Sequence, residues 1–198
     1  LPPFRCHLPC LASLACRPIR KAPWRPPALH IVAALLSAVF PVVVTVAACY
    51  DLLTMQIPNR FPAALAIAFV ALALLSGLPL PTIGLHVLAG LGLLIATFAL
   101  FAFGYLGGGD AKLASAIALW LGIEQALPFL ILTALFGGAL SLVILSYRSM
   151  PLPGFLLGWT PALRLHEKGA GIPYGVAIAA AALMVFPDTP WFAIFATM

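Results

Sequence analysis

The sequence predicts an all-α polytopic membrane protein with about six transmembrane helices, the fourth of them short. Three observations carry that expectation. Of 198 residues, 64% are hydrophobic and the mean hydropathy is +1.14. Only 8% are charged, against about 25% in an ordinary soluble domain. The apolar residues also fall in long runs separated by short segments rich in Gly, Pro and charge. Most of these runs approach the ~20 residues that cross ~30 Å of hydrocarbon at ~1.5 Å per residue. Ten cations and five acids cannot coat a soluble globule of this size, so a water-soluble enzyme is excluded. A disordered chain is excluded too, because disorder needs abundant charge and few apolar residues.

The elements follow in order. Residues 1–28 form a Pro-rich tail carrying Arg5, Arg17, Arg20, Lys21 and Arg25 and no acid. It lacks apolar periodicity and is expected to be disordered and to lie outside the functional unit, residues 29–198 being the membrane domain. The first span is expected at about Leu29–Tyr50, with Pro41 inside it, where a membrane helix tolerates proline if neighbours satisfy the freed carbonyl. A polar hinge, DLLTMQIPNR, follows. The second span is expected at about Phe61–Leu78 and the third at about Gly84–Gly104, joined by GLPLPTI. After the turn YLGGGDAK comes a short run, Leu113–Leu121, marginal as a spanning helix and readable as a short helix extended by its flanks or as a re-entrant one. The fifth span is expected at about Gln125–Tyr147, a polar loop at 148–171, and the last span from Ile172 to about Phe186.

The net charge of +5 lies wholly in the tail, because residues 29–198 hold five cations against five acids. It is therefore no sign of nucleic-acid binding. With six spans, the hinge, the Gly-rich turn and the 148–171 loop share one face. They hold Arg60, Lys112, Arg148, Arg164 and Lys168, whereas the opposite loops hold only Glu124. The positive-inside rule makes the cationic face cytoplasmic. The tail, with five cations of its own, argues for the reverse unless it is absent, translocated or processed.

Two of the five acids, Asp51 and Asp110, sit at the edges of apolar spans on that same face. An ionisable residue in such a place is costly and is by default a functional candidate. Two carboxylates brought close in a low-dielectric site resist ionising together. One is then left as general base and one as general acid, the chemistry of water-mediated peptide hydrolysis. Each also has a plainer reading. Asp110 suits the N-cap of a helix beginning near Ala111, with Gly107–Gly109 as a flexible lead-in, and Asp51 suits an interfacial residue ending a helix.

Asp51 followed by Ile57-Pro58-Asn59, then Gly107-Gly108-Gly109-Asp110 with Lys112, then Pro173-Tyr174-Gly175 opening the last span, together resemble the prepilin peptidases. These are the type IV leader peptidases, or GxGD membrane aspartyl proteases. The resemblance covers about Leu29 to Phe186, and the compact size is similar to the tight-adherence (Flp pilus) branch. It implies that Asp51 and Asp110 are the catalytic pair at the cytoplasmic edge of the bacterial inner membrane. It implies that Gly107 and Gly109 admit an extended substrate strand, since neither carries a Cβ. Pro58 would set the chain direction after the hinge, and Asn59 would hydrogen-bond a turn or the next helix. Lys112 would orient Asp110 or snorkel to the headgroups. The implied substrate is a prepilin whose apolar helix lies in the bilayer against this protein's own spans.

Longer members of that family carry paired CxxC motifs linked to N-methylation. Here Cys6, Cys10, Cys16 and Cys49 follow no zinc spacing, even with His7 nearby. No metal, no cofactor and no methyltransferase activity is expected. His86 is read as an interfacial or packed histidine and His166 as part of a solvated loop with Glu167. Trp120, Trp159 and Trp191 are read as interfacial, and Gly90, Gly92, Gly137 and Gly138 as sites of close helix contact. There is no GxSxG and no HExxH. The competing reading is a small transporter or pilus-assembly subunit using the same acids as ion sites, although no internal repeat is visible. A relative with the same dyad and other substrates, of presenilin or preflagellin type, is a third.

Overall fold

The computed structural model describes residues 27–151, 158–167 and 171–195. The expected tail, with Cys6, His7, Cys10 and Cys16, lies outside them, as does Lys168. Seven α-helices follow one another along the described residues. They are α1 (Pro27–Thr54), α2 (Arg60–Ser76), α3 (Leu80–Ala102), α4 (Gly108–Ser149), α5 (Thr160–His166), α6 (Tyr174–Val185) and α7 (Pro190–Phe195), with a 3-10 turn at Phe186–Asp188 before the last. No strand occurs among the described residues. By length and composition α1, α3 and α4 can cross a membrane, and α2 and the stretch Tyr174–Asp188 are shorter apolar helices. The chain is an all-α polytopic membrane protein.

Inside a bilayer a hydroxyl has no water to bond and must find a partner within the protein. Several buried and half-buried hydroxyls here take carbonyls about one turn back on their own helices. Ser37 donates to Ala34 at 2.8 Å, Thr97 to Leu93 at 2.7 Å, Ser115 to Ala111 at 2.6 Å and Ser141 to Gly137 at 2.7 Å. That back-bonding lets polar residues sit in apolar helices at little cost.

Helix boundaries differ from the expected spans in an informative way. α1 does not stop at Tyr50. It continues through Asp51 to Thr54 and closes with Met55, at φ 56°, donating its N–H to the Asp51 carbonyl at 2.7 Å. The hinge therefore shrinks to residues 55–59. α3 starts at Leu80 and not near Gly84, because Pro81 stands in the first turn, where a missing N–H costs nothing. α4 starts at Gly108, so the short fourth run is lengthened at its N-terminal flank. The loop at 148–171 contains a helix of its own, α5.

α4 is not one straight rod, which at 42 residues would measure about 63 Å, twice the hydrocarbon thickness. Gly122 leaves the helical region with φ 75° and ψ 178°, dividing it into arms at 108–121 and 123–149. The first arm packs on α3, with Gly90 against Ser115 and Leu119, and the second packs on α6, with Gly137 against Tyr174. Arg148, near the end of the second arm, bonds the carbonyls of Leu165 (2.8 Å) and Gly171 (2.9 Å). The break thus returns the second arm to the face from which the first began. A side chain at 122 would meet both a left-handed backbone and the His86 ring, 2.9 Å from a β-carbon built there.

Such a break leaves the carbonyls before it without their helical N–H partners. Two of them, of Leu119 and Trp120, accept hydrogen bonds from His86 Nδ1 at 2.8 Å and Trp191 Nε1 at 2.7 Å. Trp120 in turn donates Nε1 to the Leu65 carbonyl at 2.8 Å. Around these bonds Phe40, Phe69, Trp120, Phe186 and Trp191 form a buried aromatic core. Trp120 and Trp191 are therefore core residues, not interfacial ones, and only Trp159 of the three is exposed. Gly92 and Gly138, expected at helix contacts, face open space.

Candidate active site

Asp51 lies in the last turn of α1 and is 5% exposed. Its Oδ2 accepts the backbone N–H of Gly175 at 2.8 Å. Gly175 is the second residue of α6, and the N–H groups of a helix's first turn lack intrahelical acceptors. The carboxylate therefore satisfies an orphan donor at the positive end of the helix dipole. The fit is close. A β-carbon at Gly175 would fall 2.7 Å from Asp51 Oδ2 and 2.8 Å from the Ile57 Cδ1 methyl.

Asp110 comes from a different helix start. Gly107, extended at φ −70° and ψ 141°, is the N-cap of α4, so Asp110 is the third helical residue. The N-cap role read for Asp110 from sequence belongs to Gly107. Its carboxylate leans back on that glycine, where a β-carbon would lie 2.8 Å from Oδ2. Its Oδ1 is buried without a hydrogen-bond partner, an uncommon condition for a buried polar atom and one associated with function.

The hinge crosses the same turn. At Gly109 a β-carbon would meet the Ile57 β-carbon at 3.0 Å and the Ile57 carbonyl at 3.1 Å. The bare face of Gly109, assigned above to a substrate strand, is held by the chain's own hinge. Gly108 faces the ring edge of Phe101 at 3.3 Å, a movable side chain, so it is the least constrained of the three glycines.

Asp51, Asp110, Met55, Gln56, Ile57 and the three glycines line one open cavity of about 350 Å³. Pro58, Asn59 and Lys112 stand behind it. Lys112 Nζ donates to Asn59 Oδ1 at 2.9 Å, tying the end of the hinge to the first arm of α4, and the Pro58 carbonyl accepts the Phe61 N–H at 3.2 Å. Lys112 thus bonds Asn59, not Asp110. His86 lies at the far end in the aromatic core. His166 is half-buried against the Tyr147 ring, 5.2 Å between centroids, and is not solvated as read from sequence. Among the described residues no three His, Cys, Asp or Glu side chains gather to hold a metal ion.

The sequence motif includes Gly175 without a role for it, Met55 and Gln56 figure there only as part of the hinge, and Arg148 only as a cation of the cytoplasmic face. The signal for Gly175 was available. Glycine in the first turn of an apolar helix weakens it unless something must approach closely. Arg148 fastens the carbonyls on either side of the 168–170 stretch and so steadies the approach to Pro173 and Gly175.

A polar cavity between the last turn of α1, the hinge and the start of α4, with one aspartate from each helix, can hold a water between two carboxyl groups. The family model described as the type IV leader peptidase family matches residues 38–142. That segment contains both aspartates, the hinge and the glycine run. No curated protein and no solved structure matches the chain.

Proposed function

Since the chain belongs to the type IV leader peptidase family and is a membrane peptidase, we propose that it is an aspartic endopeptidase removing the leader of Flp-type prepilins, with Asp51 and Asp110 as its dyad. The observation that carries the reading is that both carboxyl groups line one cavity. They come from separate helices, and each is fitted to a glycine that leaves no room for a side chain.

In the proposed reaction a water held between the carboxyl groups attacks the scissile carbonyl. One aspartate takes the water's proton as the C–O bond forms. The other, protonated, hydrogen-bonds the carbonyl and then gives its proton to the leaving amine as the C–N bond breaks. The pair ends with its single proton exchanged between partners and is treated as one titrating unit.

The substrate we infer is a prepilin with a short basic leader and an apolar helix lying in the bilayer. The cavity is assigned to the cytoplasmic edge of the bacterial inner membrane, because Arg60, Lys112, Arg148 and Arg164 stand on elements at the cavity end. The Flp branch is favoured by the short hinge of residues 55–59 and by the absence of any CxxC pair in the sequence.

Co-expression of a Flp-type prepilin with Asp51→Asn or Asp110→Asn tests this. Leader removal is expected to fall by about 10²–10⁴, the range for loss of a general acid or base, with the protein still membrane-inserted. Undiminished processing by either variant would sink the dyad.

A further inference from the structure

We propose that the groove between α2, α3 and the first arm of α4 binds one anionic glycerophospholipid. One acyl chain lies along the groove and the headgroup phosphate rests on Lys112. The inference concerns a surface outside the aspartate cavity and does not depend on the peptidase reading.

The groove has a volume of about 460 Å³. On α2 its lining runs from Pro62 to Leu74, a rise of about 18 Å. Its floor is made of buried small residues, Ala73 and Ala116 among them. Its walls, Val70 at 54% exposure and Leu91 at 53%, stand open to the surroundings. A groove this long, open along one side and lined almost wholly by apolar side chains, suits an extended acyl chain.

The polar groups agree. Ser115 lines the groove but its hydroxyl is given to the Ala111 carbonyl at 2.6 Å. Lys112 is the only charged side chain in the lining. It stands at the end of the groove nearest Pro62, exposed, and its Nζ is bonded only to the neutral amide oxygen of Asn59. An apolar channel that ends in one uncompensated cation is complementary to an acyl chain that ends in a phosphate.

Within a bilayer every acyl chain is already in hydrocarbon, so burial alone does not select a lipid. The groove's apolar length suits an acyl chain, and the Lys112 charge selects an anionic headgroup over a zwitterionic one.

The test is native mass spectrometry of the full chain, purified in mild detergent with equal amounts of phosphatidylglycerol and phosphatidylcholine. The wild type is expected to retain one lipid per chain, with phosphatidylglycerol favoured about fivefold, the weight of one lysine at an anionic surface. Lys112→Gln should bring that ratio to about one while the lipid count stays. Ala66→Phe, which fills the groove, should strip lipid of both kinds, and Val87→Trp should do the same from the opposite wall. Equal retention of the two lipids by the wild type would overturn the proposal, as would a lipid count indifferent to both groove-filling variants. So would a photo-crosslinking side chain at position 87 that captures a co-expressed prepilin in place of lipid. None of these readouts requires peptide cleavage, so failure here and failure of the dyad assignment are separable.

Discussion

At the cavity end of the molecule a backbone N–H is offered to a carboxylate, and at the far end backbone carbonyls are offered to side-chain donors. Both ends contain an interruption of helix in an apolar protein, where every freed backbone group needs a partner. At the far end the Leu119 and Trp120 carbonyls before the Gly122 break are taken, by His86 and Trp191, and a dense aromatic core closes over them. At the cavity end Asp51 is anchored by Gly175, but Asp110 Oδ1 has no partner and the hinge stays open to an empty space of about 350 Å³. The contrast separates scaffold from site. A break whose carbonyls are met by side-chain donors fixes where the first arm of α4 stands, and the one with an unpartnered carboxylate oxygen leaves hydrogen-bonding capacity for water and peptide.

The largest effect that tests this contrast is expected from Gly175→Ala. The new methyl would fall 2.7 Å from Asp51 Oδ2, too close for contact, so the carboxylate must shift from its place in the cavity. A displacement of about 1 Å in a reacting group costs about 100-fold. We expect prepilin cleavage, measured as kcat/KM on purified protein, to drop by that order while Tm moves little. Gly138→Ala, whose methyl meets nothing within 4 Å, is the matched control and should cleave normally. Equal activities for the two variants would remove the positioning role of Gly175.

Trp191→Phe probes the other side of the comparison. It keeps an aromatic ring in the core but leaves the Trp120 carbonyl buried and unbonded, at a cost of about 1–3 kcal/mol. The expected result is the mirror image of the glycine variant, with a lower Tm in detergent and near-normal kcat/KM for the molecules still folded. Loss of cleavage at unchanged Tm would mean that the far end contributes to chemistry and not only to placement.

Much of this division was legible in the sequence, and the illegible part has one physical origin. The order of apolar segments and the placing of Asp51 and Asp110 on one face follow from hydropathy, a local property, whereas roles for Gly107 and Gly109 were implied only by the family resemblance. The continuation of α1 through Thr54 was missed because Asp51, Thr54 and Gln56 look like a polar hinge. What carries the helix on is a backbone bond from Met55 to Asp51. By residue type Trp120 and Trp191 read as interfacial, since indoles are enriched at membrane–water interfaces. Here each indole N–H has an acceptor, and the acceptor of Trp191 exists only because Gly122 breaks α4. The partner of Asp51 lies 124 residues away in sequence. Bonds between distant backbone and side-chain groups leave no periodicity to read.

The smallest expected effect belongs to the Asn59–Lys112 bond, which lies at the cavity end yet is solvent-exposed. If the cavity end depended on its braces as the far end depends on His86 and Trp191, removing this one would be as damaging as Trp191→Phe. An exposed bond between a cation and an amide competes with water and is worth roughly 0.5–1.5 kcal/mol at most. Asn59→Ala should therefore shift Tm by less than Trp191→Phe does. It should also free the hinge, because Asn59 joins the non-helical residues 56–58 to the start of α2, and Lys112 is the contact that ties this corner to the arm bearing Asp110. A severalfold fall in kcat with little change in Tm is the expected signature. Asn59→Asp retains the acceptor and adds a charge opposite Lys112, so it should restore cleavage. Rescue by aspartate and not by alanine would show that the hinge acts through this bond, whereas two variants with wild-type activity would show that the Gly109–Ile57 contact holds the hinge unaided.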